Sequence, residues 1–215
     1  MMRSRWFGYV VAVVAAALSV WAYPQLPPEV ATHWNVRGEP DGFSSRFWAV
    51  TALPAGILAL RGVVAILPSI DPKGANYPKF VETYRLIFNG VLGFMLLVHV
   101  VIMANGVGYP VRVDRITVGG IGLLLVLIGN YLGRVEPNWF VGIRTPWTLS
   151  SDRVWRRTHR LGAWILVAGG SAIVLTVFLP AATMPIVIGL LAVVAVVPVV
   201  VSYLLWKREQ RVSGS

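Results

Sequence analysis

The sequence predicts an all-α integral membrane protein: a bundle of six transmembrane helices, both termini cytoplasmic, with a short amphipathic cytoplasmic helix before the fifth span. Three observations predict it. The chain of 215 residues is 56% hydrophobic and only 13% charged, against roughly 45–50% and about 25% in a globular domain, so a soluble fold would lack polar surface. Six stretches reach the roughly 17–25 apolar residues that a helical crossing needs. The Lys and Arg residues fall in alternate loops. No period-2 alternation with regular turns is present, which argues against a β-barrel.

The spans are expected at 6–23, 47–67, 86–106, 116–132, 161–179 and 184–206. The first follows Arg3 and Arg5 and could serve as a signal peptide, with Val20-Trp21-Ala22 as a cleavage site. Its apolar run exceeds the roughly 7–15 residues of a signal core, so an uncleaved helix is expected. The second span contains Pro54 and Arg61 and the last contains Pro198. A bundle tolerates such interruptions because neighbouring helices satisfy the freed backbone groups.

Charge sets the orientation. Arg3, Arg5, Lys73, Lys79, Arg85, Arg134, Arg144, Arg153, Arg156, Arg157, Arg160, Lys207, Arg208 and Arg211 fall on one side, fourteen in all, against Arg37, Arg46, Arg112 and Arg115 on the other. The richer side is cytoplasmic. The net charge of +10 therefore reads as attraction to anionic lipid headgroups. Nucleic acid is not expected as a direct partner, because a helix pinned to a bilayer reaches DNA poorly. The absence of Cys excludes disulfides, thiolate metal sites and a Cys nucleophile.

The first outside loop reads "YPQLPPEVATHWNVRGEPDGFSSR". Pro24, Pro27 and Pro28 stiffen its entry, and "GEPDG" is expected to turn, with Pro40 presetting φ, Asp41 bonding its own backbone and Gly42 at positive φ. His33, Glu39 and Asp41 could meet as a metal or proton site, yet their spacing matches no ligand pattern. The plainer reading is an ordered loop capping the bundle, with His33 and Trp34 at the headgroup level. Between these stands a recognition surface for an external molecule, made of His33, Trp34, Asn35, Gly38, Glu39, Pro40, Asp41 and Gly42.

Polar residues inside the spans are functional candidates by default. Arg61 lies near the cytoplasmic end of its helix and could snorkel to the headgroups. Asn89, His99, Asn105 and Asn130 could bridge helices, or line the path of a small transporter or channel. The sequence contains no G-x-S-x-G, H-E-x-x-H or P-loop string. No catalytic, cofactor-binding or metal-binding residue is assigned, and a membrane enzyme stays the third alternative.

The longest cytoplasmic loop carries "PNWFVGIRTPWTLSSDRVWRRTHRLG". Ser150 or Ser151 suits an N-cap and Asp152 the positive first turn of a helix, while Pro146 stops helical structure upstream. Arg153, Arg156, Arg157 and Arg160 follow at i, i+3, i+4 and i+7, one helical face. Trp155, His159 and Gly162 lie on another. A short helix on the inner leaflet results, its arginines on lipid phosphates, with Trp139 and Trp147 as interfacial anchors. The basic face could equally dock a cytoplasmic protein. Anchoring does not require "NWFVGIRTPW", whose Gly142 and Pro146 suggest a fixed, packed loop.

The string "NWFVGIRTPWTLSSDRVWRRTHRLGAWILVAGG" resembles the signature of the SdpI family of bacterial membrane proteins. "LPPEVATHWNVRGEPDGF" followed by "IDPKGANYPKF" resembles the N-terminal domain often found with it. The resemblance implies a bacterial plasma-membrane protein divided into 1–84, with an extracytoplasmic loop at 24–46, and 85–215, with a cytoplasmic motif loop at 133–160. It also implies non-enzymatic immunity and signalling. The family's best-known member protects its bacterium from that bacterium's own secreted killing-factor peptide and recruits a transcriptional repressor to the membrane. A toxin peptide outside and a repressor inside are therefore the partners expected; oligomeric state is left open. The implied motif positions are Asn138, Trp139, Phe140, Gly142, Arg144, Thr145, Pro146, Trp147, Ser150, Trp155, Arg156, His159 and Arg160.

Overall fold

The computed structural model describes residues 2–179 and 184–213. Among these residues six helices are long and apolar enough to cross a membrane: α1 (Phe7–Ala22), α2 (Arg46–Ile70), α3 (Tyr77–Gly106), α4 (Val113–Leu132), α6 (Asp152–Thr176) and α7 (Met184–Ser213), with a one-turn α5 (Pro146–Ser150) before α6. α1, α2 and α3 pack on one another, α3 also meets α4, α4 lies against α6, and α6 against α7. Large apolar side chains such as Val13, Leu123, Trp164 and Phe178 remain exposed, as a lipid-facing surface requires.

The closest helix pair is α4 with α6, and glycine makes it possible. A Cβ on Gly122 would lie 2.7 Å from the Gly170 carbonyl oxygen, and one on Gly170 would lie 2.6 Å from that of Gly122. Seven residues along, a Cβ on Gly129 would lie 2.8 Å from the Ala163 oxygen. Backbones in van der Waals contact supply the packing that replaces the hydrophobic effect between helices in lipid.

Pro54 and Pro68 lie inside α2 and remove the N–H groups that would bond Val50 and Val64. Ser19 of α1 donates its hydroxyl to the Val50 oxygen at 2.7 Å, and Tyr84 of α3 donates to the Val64 oxygen at 2.6 Å. The neighbours thus repair both breaks. Ser19 Oγ also lies 2.9 Å from Nε2 of fully buried His99; with the serine proton committed to Val50, the imidazole N–H is the donor.

Four expectations are corrected. The outside loop is a two-stranded antiparallel hairpin, β1 (Glu29–Trp34) and β2 (Pro40–Ser45), so "GEPDG" enters a strand. The reversal falls earlier, at Asn35–Gly38, where Gly38 N–H reaches the Asn35 oxygen at 2.9 Å and Gly38 takes φ +78°. Gly42 has no positive φ; it is small because a Cβ there would lie 2.8 Å from that of His33 across the ladder. The basic segment is no separate surface helix: Arg153 to Arg160 form the first turns of α6, continuous with the fifth span. A short helix does precede that span, as α5, and Pro146 opens it at the first helical position, where its missing N–H costs nothing.

The fourth correction concerns the intramembrane polar residues, which do not line one path. Asn89 donates to the Met2 and Ser4 oxygens at 2.6 and 3.0 Å at the cytoplasmic end of α1. His99 is sealed between α1 and α3 with Ser19, Asn105 lies partly buried near the outer end of α3, and Asn130 is exposed on α4. Arg61 stacks over Tyr9, 4.9 Å from its ring centre, and reaches the Arg5 oxygen at 3.4 Å.

Candidate functional site

The cytoplasmic loop from Leu132 to α5 has no regular structure, so each of its buried backbone groups needs a partner. Asn138 supplies four. Fully buried, it accepts from the N–H groups of Phe140 (2.9 Å) and Val141 (2.6 Å) and donates to the Glu136 (2.9 Å) and Val141 (3.0 Å) oxygens. An amide can do this because it carries both donors and acceptor on one plane. Asp or Leu at 138 would forfeit at least half of these bonds.

The α2–α3 connection grips this turn. Asp71 accepts from the Trp139 N–H and the Tyr77 hydroxyl, both at 2.9 Å, and from the Lys73 N–H at 2.7 Å. Asn76 donates to the Pro137 oxygen at 2.8 Å. Asp71 and Asn76 were not singled out from the sequence as site residues, although both lie in "IDPKGANYPKF"; the pairing is long-range and leaves no spacing to read.

On its other side the loop rests on α6. His159 is fully buried: Nδ1 contacts the Trp155 oxygen at 2.9 Å, and Nε2 accepts the Ile143 N–H at 3.1 Å. An Nε2 that accepts requires the neutral ring with its proton on Nδ1. The ring stacks on Trp155 at 4.0 Å, and the indole N–H of Trp155 holds the Val135 oxygen at 2.8 Å. Gly142 crosses directly over the imidazole at φ +111°, where a Cβ would lie 2.2 Å from Nε2. Both the conformation and the space require glycine.

Thr145 and Thr148 form a capping box that opens α5, Thr145 N–H donating to Thr148 Oγ1 at 2.8 Å. Thr145 and the indole N–H of Trp147 both meet the hydroxyl of Ser202 on α7, and Trp147 packs edge-on against Tyr203, 5.3 Å between centres. Trp147 is thus a structural tie to α7. Ser151 caps α6 through Val154 N–H and donates to Glu209 at 2.6 Å. Thr148, Ser202 and Glu209 carried no signal in the sequence.

The remaining motif residues stay at the surface. Trp139, Arg144, Pro146 and Ser150 border an open hollow of about 490 Å³, and Arg144 donates to the Trp139 oxygen at 2.8 Å. Phe140 is partly buried, and Arg156 and Arg160 are exposed. Among the described residues no three His, Asp or Glu side chains could share a metal ion. The buried side chains of Asn138, Trp155 and His159 are consumed in holding backbone. The motif is a scaffold presenting an exposed aromatic and basic rim.

The opposite end of the molecule carries the hairpin. Leu26 and Val30 are buried with Ala22, Ala49, Val50, Ile102 and Met103, which seats the hairpin on α1, α2 and α3. Trp34 packs partly against this cluster. His33 contacts Asp41 across the strands at 2.5 Å. Asn35 accepts from Arg37 N–H and Glu39 N–H at 2.8 and 3.1 Å, and its amide donates to the Glu39 carboxylate at 2.9 Å. That bond first, and Arg37 next, lower the Glu39 pKa below its usual 4.5. His33 and Asp41 lie on one side of the bulged ladder and Glu39 pairs with the turn, so the three do not converge.

Residues 134–202 match the SdpI/YfhL protein family, and residues 10–58 match a domain of unknown function, DUF1648. Over residues 134–202 the chain is thus similar to the SdpI/YfhL family. The SdpI/YfhL match starts just ahead of the Asn138 turn and ends on Ser202, so it encloses that turn, α5, His159 and Ser202, while Asp71, Asn76 and Glu209 lie outside it. The chain is similar to the immunity protein SdpI of Bacillus subtilis (strain 168), 24% identical over 208 residues that cover 96% of this chain and 98% of that protein. No solved structure matches it. Six membrane-crossing helices and this kinship make it a multi-pass protein of the bacterial cell membrane.

Proposed function

We propose that this protein is a non-enzymatic membrane immunity protein. It blunts a membrane-active toxin peptide met at the outer face and passes that event to a cytoplasmic regulator of the repressor type. The observation that carries the reading is similarity along nearly the full length of both chains, 96% of this one and 98% of the other, to a protein named for immunity. The layout supports it. The seated hairpin offers a peptide an ordered surface outside, and the rim of Trp139, Arg144, Pro146 and Ser150 offers a regulator a surface inside. Coupling the two requires contacts that differ between two states of the bundle.

The test is survival. Expressed in a peptide-sensitive host, the chain raises the toxin dose needed to kill, and the hairpin variant His33→Ala/Asp41→Ala loses that gain at equal membrane abundance. Killing curves that coincide with the empty host for every candidate peptide would remove the immunity reading.

A further inference from the structure

The segment leading into α1 and the cytoplasmic halves of α2 and α3 border a cavity of about 610 Å³, at the opposite end of α2 from the hairpin. Its lining includes three guanidinium-bearing residues, Arg5, Arg61 and Arg85, and no carboxylate. Arg5 lies 5.3 Å over the Trp6 ring, Arg61 lies 4.9 Å over Tyr9, and Arg85 makes no ion pair among the described residues. The nearest acid in sequence, Glu82, is paired with Arg3 at 3.0 Å, outside the lining.

The polar groups that could answer these charges are committed elsewhere. The Tyr84 hydroxyl is spent on Val64 and that of Tyr77 on Asp71. Asn89 holds the Met2 and Ser4 oxygens, which fixes the chain leading to Arg5 at the rim. The rest of the wall is apolar, including Val64, Val81 and Leu92. Three guanidinium-bearing residues at one hollow with no carboxylate in its lining call for an anion, and guanidinium forks match phosphate oxygens. An apolar wall beside them calls for hydrocarbon. Basic hollows between helices on the cytoplasmic side suit lipid headgroups.

We propose that this cavity is a binding site for one anionic phospholipid of the inner leaflet, its phosphate among Arg5, Arg61 and Arg85 and an acyl chain along Val64, Val81 and Leu92. The shared chemistry is phosphate, and the apolar wall selects the lipid over the free ion. The site stands apart from the immunity reading.

The full chain, purified in detergent, is delipidated and presented with phosphatidylglycerol, with phosphatidylcholine of the same acyl chains, or with inorganic phosphate, and bound lipid is counted by native mass spectrometry. Phosphatidylglycerol is retained over phosphatidylcholine, and its apparent affinity falls about five-fold for each of Arg61→Gln and Arg85→Gln. Arg153→Gln/Arg157→Gln, at the other basic cluster, leaves it unchanged. Arg85 is exposed, so its variant carries the test should Arg61→Gln fail to fold. Equal retention of the two lipids, indifference to Arg85→Gln, or displacement by phosphate as effective as by phosphatidylglycerol would each overturn the proposal.

Discussion

The hydroxyl of Tyr84 donates to the carbonyl oxygen of Val64 at 2.6 Å, bridging α3 to α2. The bond stands where Pro68, four residues on, has no N–H to give. Tyr84 is 5% exposed, so water cannot replace it. Tyr84→Phe therefore strands a buried acceptor and costs about 1–3 kcal/mol. Pro68→Ala restores the helical N–H, and in that background the cost of Tyr84→Phe shrinks by more than half. Unfolding in mixed micelles measures both arms of the cycle. Equal losses with and without Pro68 would show that the phenol contributes through packing alone.

Gly142 is held by conformation and space together, at φ +111° and against His159. Gly142→Ala destabilises the chain by more than the roughly 1 kcal/mol of an ordinary glycine-to-alanine change at positive φ. His159→Ala removes the obstructing ring and also the acceptor of the Ile143 N–H. The double variant Gly142→Ala/His159→Ala is thus less destabilised than the two single losses added together. Additivity within about 0.5 kcal/mol would mean that the two residues are not in contact.

Much of the scaffold was legible because lipid writes a long-range constraint into local composition. Twenty apolar residues announce a span whatever packs beside it, and all six spans were placed. The hairpin was not legible. Register shifts on either side of His33 break the alternation of β1, and β2 starts with Pro40 and contains Gly42, both poor strand residues. The fusion of the basic segment with α6 was hidden for another reason: four arginines depress hydropathy, but the backbone helix does not depend on what its outer face carries. Asn138 stands among the motif positions that the resemblance implies, but its role is not legible there, since burial by four backbone bonds leaves no mark in spacing. Asp71 and Ser202 act on residues 68 and 55 positions away along the chain.

The interface of α4 with α6 depends on missing side chains. Gly170→Val places a branched side chain where the Gly122 oxygen now lies 2.6 Å from the Cβ position. The helices must separate, and a loss of about 1–3 kcal/mol follows from overpacking. Gly189→Ala on α7, where a Cβ meets nothing within 4 Å, serves as the control and stays within about 0.5 kcal/mol of wild type. If the two variants unfold alike, close approach is not what holds α4 to α6.

Buried and exposed motif residues should separate stability from signalling. Trp155 is fully buried, and its indole holds the Val135 oxygen; Trp155→Ala costs about 3–5 kcal/mol and lowers the amount of folded protein. Arg156→Gln/Arg160→Gln alters two exposed side chains and keeps stability within about 0.5 kcal/mol. If the basic start of α6 takes part in docking a regulator, this second variant retains toxin resistance while recruitment to the membrane, followed by fluorescence of a tagged regulator, is lost. Recruitment unchanged in the arginine variant would move the docking surface away from α6.

The hairpin turn is set by Glu39. Its carboxylate titrates below the usual 4.5 because the Asn35 amide and then Arg37 favour its charged form. A pKa depressed by folding contributes stability above the unfolded value and loses it as pH falls through the folded one. The Asn35 side-chain amide resonance should therefore shift, as pH is lowered, with a midpoint below the usual glutamate value of 4.5. Glu39→Gln removes that low-pH transition. A wild-type resonance that moves with a midpoint at or above the usual glutamate value would show that Asn35 and Arg37 do not hold the carboxylate in solution.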